Sequence, residues 1–395
     1  MSDWWVETTL GQIADLTSGG TPSTKEPDFW GGDIVWLTPS EITKNAGAVL
    51  SDSDRKITQA GCEASSARFV PAGTVLVTSR ATIGVTAIAG VELTTNQGFV
   101  SLIPGDAVNN YFLMYWVQSN KHEFTSRAGG STFPEISRKK VASIPIVLPP
   151  VSAQERIVEV IGAVDHEITA LEAEAVALEG VYRAATSLLW RTSQGDEAES
   201  RPLGDMMHLD IARTPMEAGT THHLAGVLNS GKGLVDKGAF DGADTEYKAM
   251  NVLRKNQVVM RKLTAWEGPI TVVPAEFDGF VASNEFPTFT LDDDIAPGWM
   301  KHVCRTPRLW AEMQSRVVGT VQRRKRLNPD QLLSVALPVP SRPEQEQTAE
   351  ALGAIEGQID AIRTEATRLR QARAGLLSGL LDRTIDIKPA DSLEV

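Results

Sequence analysis

In one stretch of the chain the apolar positions fall on an unbroken 4,3 spacing. Ile157, Ile161, Val164, Ile168, Leu171, Ala175, Leu178, Tyr182, Ala185 and Leu189 lie on a single seam of a long helix of the coiled-coil type. Adding 191 to each number gives Thr348, Leu352, Ile355, Ile359, Ile362, Ala366, Leu369, Arg373, Leu376 and Leu380, the same seam weakened only at Thr348 and Arg373. Each stretch opens with a serine three residues before a glutamate, Ser152 before Glu155 and Ser341 before Glu344, the spacing of a capping box. Prolines stand upstream of both, at Pro149 and Pro150 and at Pro338 and Pro340. The same offset superposes Ser143 on Ser334, Gln154 on Gln345, Gly162 on Gly353 and Ala163 on Ala354, which marks an internal duplication. At about 1.5 Å per residue, each helix makes a rod of roughly 55 Å. Two equal seams in one chain are expected to bury each other as an antiparallel pair. The other reading is that each rod lies only on its own globular domain.

Outside the rods the pattern changes to short apolar runs bounded by Gly, Pro, Ser, Thr and Asn, which predicts strands and turns. Gly31 to Leu37 reads as a buried strand delivering Thr38 and Ser40 to its end; Val75 to Val77 reads as another, after a Pro71-Ala72-Gly73 turn, ending in Thr78, Ser79 and Arg80. A strand near Val85 to Ile88 leads to Thr94, Thr95, Asn96, Gln97, Gly98 and Phe99. Tyr111 to Phe124 and Trp299 to Val317 read as helices, and Ile144 to Leu148 as the strand entering the first rod. Leu203-Gly204 repeats Leu10-Gly11 and Thr214-Pro215 repeats Thr21-Pro22, so the globular parts are duplicated too, with far more divergence.

The expected fold is α+β. Two globular α/β domains of mixed twisted sheet and short helices are joined by two long helices forming an antiparallel coiled coil with pseudo-two-fold symmetry. The expected divisions are 1–150 for the first globular domain, 151–193 for the first rod and 194–200 for a polar linker. The second domain then takes 201–340, the second rod 341–385 and a tail 386–395. The helix-pair seam rests on Ile157, Ile161, Val164, Ile168, Leu171 and Leu178 against Leu352, Ile355, Ile359, Ile362, Leu369 and Leu376.

Composition adds limits. With 42% apolar and 22% charged residues in 395, the chain is an ordinary protein with sizeable cores. It shows neither an apolar run of membrane length nor a signal-peptide start, which leads to the expectation of a cytoplasmic protein. Two cysteines, Cys62 and Cys304, cannot build a zinc cluster or a disulfide framework, and the adjacent His222 and His223 read as loop residues rather than metal ligands. No metal site and no bound cofactor are expected.

The net charge of −12 argues at first against a polyanion, but the charge is unevenly spread. From Ala153 to Ser200 ten acids face three bases; from Lys301 to Arg326 eight bases face one acid. The negative charge sits on the rods and the positive charge on the globular parts, an arrangement able to hold nucleic acid with the domains and protein partners with the helices.

The candidate nucleic-acid contacts follow from residue type. The loop Thr17 to Ser23 is rich in glycine and hydroxyls, so Ser18, Thr21 and Ser23 either approach a phosphate or form a tight turn. Thr38 and Ser79 stand at strand ends; Arg80 can fork onto guanine or phosphate; Asn96 and Gln97 can pair with adenine or serve turn chemistry. Gly129 to Lys140 is a glycine-hinged basic loop offering Ser131, Thr132, Arg138 and Lys139. In the second copy Arg261 and Lys262 end a strand, Trp266 follows, and Asn284 stands in the segment matching Asn96 to Phe99. Gln322, Arg323, Arg324 and Lys325 form a denser counterpart of the basic loop. Each basic cluster reads either as a solvated surface or as phosphate contact, and its recurrence at the same point of both copies favours the second.

The chain resembles the specificity (S) subunit of type I restriction-modification systems. The resemblance rests on the domain-helix-domain-helix plan, on Leu10-Gly11 through Gly19-Gly20-Thr21-Pro22, and on Pro145 to Pro150 followed by Gln154-Glu155-Arg156-Ile157. The second rod departs from the pattern, with Ser341 where a second proline is common and Gln347-Thr348 where Arg-Ile is. Such proteins read one half of a split double-stranded DNA site with each globular target recognition domain. Their paired helices set the spacing and dock two methyltransferase (M) subunits, which motor-nuclease (R) subunits then join. The resemblance implies a non-catalytic chain, S-adenosylmethionine held by the partner methyltransferase, and an asymmetric target with halves about one turn apart, where B-DNA presents the same face every 34–36 Å or so.

The residues agree on chemistry. No glycine-rich S-adenosylmethionine turn, no Asn-Pro-Pro-aromatic tetrad and no phosphate-cradling P-loop occur. Two rivals are a magnesium-dependent nuclease using Asp241, Glu246 and Lys248, and a coiled-coil adaptor that never touches DNA.

Overall fold

The computed structural model describes residues 4–130, 134–190, 200–318 and 325–387. It divides into two compact units, residues 1–170 with 366–395 and residues 171–365, so each long helix gives one half to each unit. The helices run Val151–Ser187 and Arg342–Leu381. A short 3-10 turn, Leu188–Trp190, follows the first. The expected linker at 194–200 lies outside the described residues except for Ser200, as do 191–193 and the tail from 388 onward.

In the first unit a five-stranded sheet has the order Ala14–Thr17, Phe99–Pro104, Val75–Thr78, Thr86–Ala89, Val49–Leu50. A three-stranded sheet joins Lys56–Ile57, Trp30–Leu37 and Thr94–Thr95. Val6–Thr9 pairs antiparallel with Pro145–Leu148, which brings the start of the unit to the foot of the first rod. The second unit repeats this closure, pairing Ser200–Pro202 with Ala336–Pro338 before the second rod. It also holds a four-stranded and a five-stranded sheet.

Both readings of the seam hold together in the first unit. Ile157 and Ile161 are fully buried in one core that contains Leu10, Phe112 and Phe124 from the globular part and Leu377 and Leu380 from the other rod. Asp165, further along the first rod, meets Arg373, earlier on the second, so the pairing is antiparallel. In the second unit Glu179 pairs with Arg363. Ile168, Leu171, Leu352, Ile359 and Ile362 are buried as expected, whereas Val164, Leu178, Ile355, Leu369 and Leu376 are half-buried. Leu377, off the 4,3 count, is buried beside its neighbour.

Arg373, the charged residue on an apolar seam, has a specific task. Its guanidinium grips Asp165 with two hydrogen bonds, one of 2.9 Å, and lies 5.1 Å from the ring centre of Tyr115, whose hydroxyl donates to the same carboxylate at 3.1 Å. Arg373→Met leaves a half-exposed carboxylate and a phenol without their cation. The expected loss is about 1–2 kcal/mol in the first unit, read by hydrogen exchange of the segment 157–169.

Three local expectations are corrected. Ser152 and Glu155 do not form a capping box: the helix begins one residue earlier, and the Pro150 carbonyl accepts from Ala153 and Gln154. At the second rod the box is present in part, Glu344 accepting from the Ser341 amide (2.8 Å) and hydroxyl (2.7 Å), which holds the exposed Glu344 carboxyl below its usual range. The stretch Tyr111 to Phe124 is two helices, Asn110–Ser119 and Lys121–Thr125, broken at Asn120. Trp299 to Val317 is also two, Pro297–Val303 and Pro307–Arg316, because proline cannot continue a helix and Thr306 caps the new one. Among the described residues no helix is long and apolar enough to cross a membrane, and no cluster of His, Cys, Asp or Glu could hold a metal.

Candidate nucleic-acid interface

In the first unit the strand Val75–Thr78 runs into Ser79, whose backbone fastens two other segments. The Ser79 amide donates to the Gly98 carbonyl (2.8 Å), and its carbonyl accepts from the Ile136 amide (3.0 Å). Gly129 and Glu135 exchange two backbone hydrogen bonds of 2.9 Å, closing the basic loop at its base. Ser131 and Thr132 lie outside the described residues. The strand end, the Asn96–Gly98 turn and the glycine-hinged loop are thereby gathered at one edge. Arg80 there pairs with Glu135 at 2.9 Å, both side chains roughly half exposed.

The second unit ties the same knot with different residues. The Lys262 amide donates to the Glu285 carbonyl (2.9 Å), and its carbonyl accepts from Leu327 (3.1 Å). Val318 and Arg326 exchange two bonds of 2.9 Å; Gln322, Arg323 and Arg324 lie outside the described residues. After each strand end a non-glycine residue takes the left-handed region, Ala81 at φ +57° and Thr264 at φ +53°. The register sets Ser79 against Lys262, Gly98 against Glu285 and Ile136 against Leu327. The ion pair changes places: Arg80 with Glu135 in one unit, Glu285 with Arg326 (3.0 Å) in the other.

Not every candidate side chain can reach a ligand. Ser79 is 2% exposed and serves through its backbone. Thr38 caps the helix Pro39–Lys44, exchanging hydrogen bonds with Glu41. Arg261 spends its guanidinium inside the protein on the Leu263 carbonyl (3.0 Å), Asn229 (2.8 Å), Thr264 (2.6 Å) and Glu267 (3.1 Å). It is a clamp on its own loop. Trp266, Lys262 and Lys325 are half-buried, and Ser18 likewise. Thr21, Ser23, Arg80, Gln97, Arg138, Lys139 and Asn284 are exposed, and Arg138 and Lys139 make no ion pair among the described residues. They occupy the helix Arg138–Ala142, capped by Ser137.

The Gly19-Gly20 loop resolves toward the tight turn. A Cβ on Gly19 would stand 1.9 Å from the Thr95 carbonyl oxygen, and one on Gly20 would strike Ser66 and Ala67. The Gly20 amide already donates to Thr95 (2.9 Å), so these glycines admit protein backbone, not phosphate. Glu135 and Glu285, the acids that steady the basic edge, were not foreseeable: an acid beside a cation run carries no distinguishing sequence signal.

A family model described as the type I restriction modification DNA specificity domain matches residues 2–178. The type I restriction enzyme MjaIX specificity subunit of Methanocaldococcus jannaschii is 38% identical over 168 residues, 42% of this chain and 39% of that protein. The match thus spans about two fifths of the length of such curated relatives. Among solved structures, a type I restriction-modification S subunit from M. genitalium superposes with a TM-score of 0.58 at 14% identity, covering 98% of both chains. A chain from a structure of type I R-M complex assembly and conformational transition superposes with a TM-score of 0.62 at 16% identity, covering 96% of this chain and 98% of that one. Residues 2–178 of the chain match the type I restriction modification DNA specificity domain, and along nearly its whole length the chain has the fold of a type I S subunit.

Proposed function

We propose that the chain is the sequence-reading subunit of a type I restriction-modification assembly. Each globular part takes one half of a bipartite site in double-stranded DNA, and the rods carry two methyltransferase subunits, to which motor-nuclease subunits attach. The observation that carries this reading is the repeated knot. Two units of divergent sequence bring a strand end, an amide-bearing turn and the residues flanking a cation-rich segment to one edge by matching backbone bonds. A scaffold preserved while its side chains change is what reading two different half-sites requires. The chain itself holds no cofactor in this proposal; S-adenosylmethionine belongs to the methyltransferase.

The nuclease alternative loses its first carboxylate. Asp241 accepts from the Gly219 amide (3.1 and 3.0 Å to its two oxygens) and the Ala243 amide (2.8 Å), which holds its carboxyl below the usual range. That is a capping role, and the group is committed to backbone. The adaptor alternative provides no reason for Arg138 and Lys139 to stand exposed with no ion pair among the described residues.

Exposed cations that touch phosphate release counterions, so each adds about one unit to the slope of log K against log salt. Combining Arg138→Ala with Lys139→Ala should lower that slope by about two and weaken binding to all duplexes alike. Fluorescence anisotropy at several salt concentrations reads both effects. Duplex binding with no salt dependence by the native chain would refute the proposal.

A further inference from the structure

The same ion pair stands at the edge of both units, built from different positions. In the first, Arg80 and Glu135 face each other across an isolated antiparallel bridge, and their side chains meet at 2.9 Å. In the second, the corresponding bridge joins Leu263 to Arg326, so the cation has moved to the place of Glu135 and an apolar residue fills the place of Arg80. The acid comes instead from Glu285, at the place of Gly98, and reaches Arg326 at 3.0 Å. Three positions have changed and the pair has been rebuilt. Stability does not account for that: the four side chains are 27% to 50% exposed, and ion pairs so placed contribute little to folding.

What the pair changes is the ligand. A lone guanidinium at a DNA surface takes the nearest phosphate, which carries no sequence information. A carboxylate already beside it satisfies the cation, and its own charge repels the DNA backbone. A base edge is uncharged and meets no such repulsion. Arg80 and Arg326 each face their acid through Nη2, and among the described residues neither guanidinium has a hydrogen bond or ion pair with any other residue. Most of the five N–H groups therefore remain, enough to give guanine the two parallel bonds to N7 and O6 by which arginine reads it. Granting the DNA-reading role proposed above, we infer that Glu135 and Glu285 are positioning residues that determine specificity. Each holds an arginine off the phosphates and keeps it for guanine, Arg80 in the half-site of the first unit and Arg326 in that of the second. Arg138 and Lys139, which have no such acid, are left as the phosphate contacts.

The test uses the full chain, with bound duplexes selected from a randomised pool and sequenced, and with anisotropy on a random duplex at several salt concentrations. The native chain should enrich a motif with a fixed guanine in each half. Glu135→Gln keeps size and an acceptor but removes the charge. It should bind the random duplex about three- to tenfold more tightly at low salt, steepen the salt slope by about one, and relax the guanine at one position. Arg80→Ala combined with Glu135→Ala keeps the net charge. It should weaken the preference for guanine at that same position about tenfold or more and leave the slope unchanged. Glu285→Gln, and Arg326→Ala with Glu285→Ala, should repeat the two effects in the other half of the motif, a confinement that general misfolding does not produce. A double variant whose slope falls by one while its motif stays intact would make the arginine a phosphate contact and overturn the inference. A glutamine variant that exchanges one preferred base for another overturns it as well, since the carboxylate would then be the reader. Motif and slope unaltered in every variant also overturn it, and each of these three results leaves DNA reading intact. No enrichment by the native chain at low salt removes the DNA-reading role, and the inference with it.

Discussion

Gln154→Leu should lower the stability of the first unit by about 3–5 kcal/mol. Gln154 is fully buried at the first turn of the first rod. Its Oε1 accepts from the Asn109 amide (2.8 Å), and its Nε2 donates to the carbonyls of Ala107 (3.0 Å) and Pro149 (2.8 Å). Leucine fills the volume but orphans three backbone groups away from water, each at about 1–3 kcal/mol. Two of them belong to the turn that starts the helix Asn110–Ser119, so the damage should fall there and on the rod's first turns. Hydrogen exchange should show protection lost over 109–119 and 151–161. Gln154→Glu keeps the acceptor alone and should lose more than half of that stability. Native-like exchange in the leucine variant would show that the side chain is not the clamp. Gln345, at the matching place, accepts from Ala296 (2.8 Å) and donates to Asp294 (3.1 Å) and Pro340 (3.0 Å), so Gln345→Leu should repeat the loss in the second unit. The pair is the device by which each globular part is seated on its own rod.

How far these features could be read from the residues depends on the range of the forces that set them. The rods were legible because burial on a helix leaves a period: Ile157, Ile161 and Ile168 lie where the 4,3 spacing puts them. The strands Val75–Thr78 and Thr86–Ala89 were legible for the same reason, as apolar runs between turn residues. The match of Gln154 with Gln345 was visible as duplication, yet its purpose was not, since a glutamine's partners are set by tertiary packing. Asp165 and Arg373 are 208 positions apart, and no local pattern joins them. At the edge thought to read DNA, residue type alone assigned Arg261, Ser79 and Thr38 to a ligand, and the fold spends all three on itself. Thr21 and Gln97 were both picked out, but their hydrogen bond depends on where Trp30 and Trp36 fix a loop. Fold follows from periodicity; which side chains remain for a ligand follows from which polar atoms the protein has already satisfied.

The second unit should lose stability as pH falls from about 6.5 toward 4, and His302→Gln should remove most of that loss. His302 is 2% exposed, on the helix Pro297–Val303, with its Nδ1 2.8 Å from the Tyr182 hydroxyl of the first rod. Burial, followed by the neighbouring Lys301 and Arg305 charges, pushes its imidazole down to about 4 from 6.5, while a hydrogen bond to the Ala349 backbone opposes the shift. Glu356 on the second rod is engaged by Lys301 (2.8 Å) and Arg305. Above 6.5 the residue is neutral in both folded and unfolded chains and stability is at its full value. Below it the unfolded chain takes up a proton that the folded one refuses, so stability declines until the pH reaches about 4, where the folded imidazole protonates too. The whole window is worth about 3 kcal/mol. Glutamine can take the Tyr182 hydrogen bond on its oxygen without titrating, so the variant should match the native chain near pH 4.5 or exceed it, and be the weaker of the two at pH 7.5. Urea unfolding followed by hydrogen exchange of the segment 297–303 at both pH values makes the comparison. A native chain and a variant that decline in parallel would place the acid sensitivity elsewhere, among the carboxylates held low by hydrogen bonds, such as Asp210 with Thr290 and Arg254.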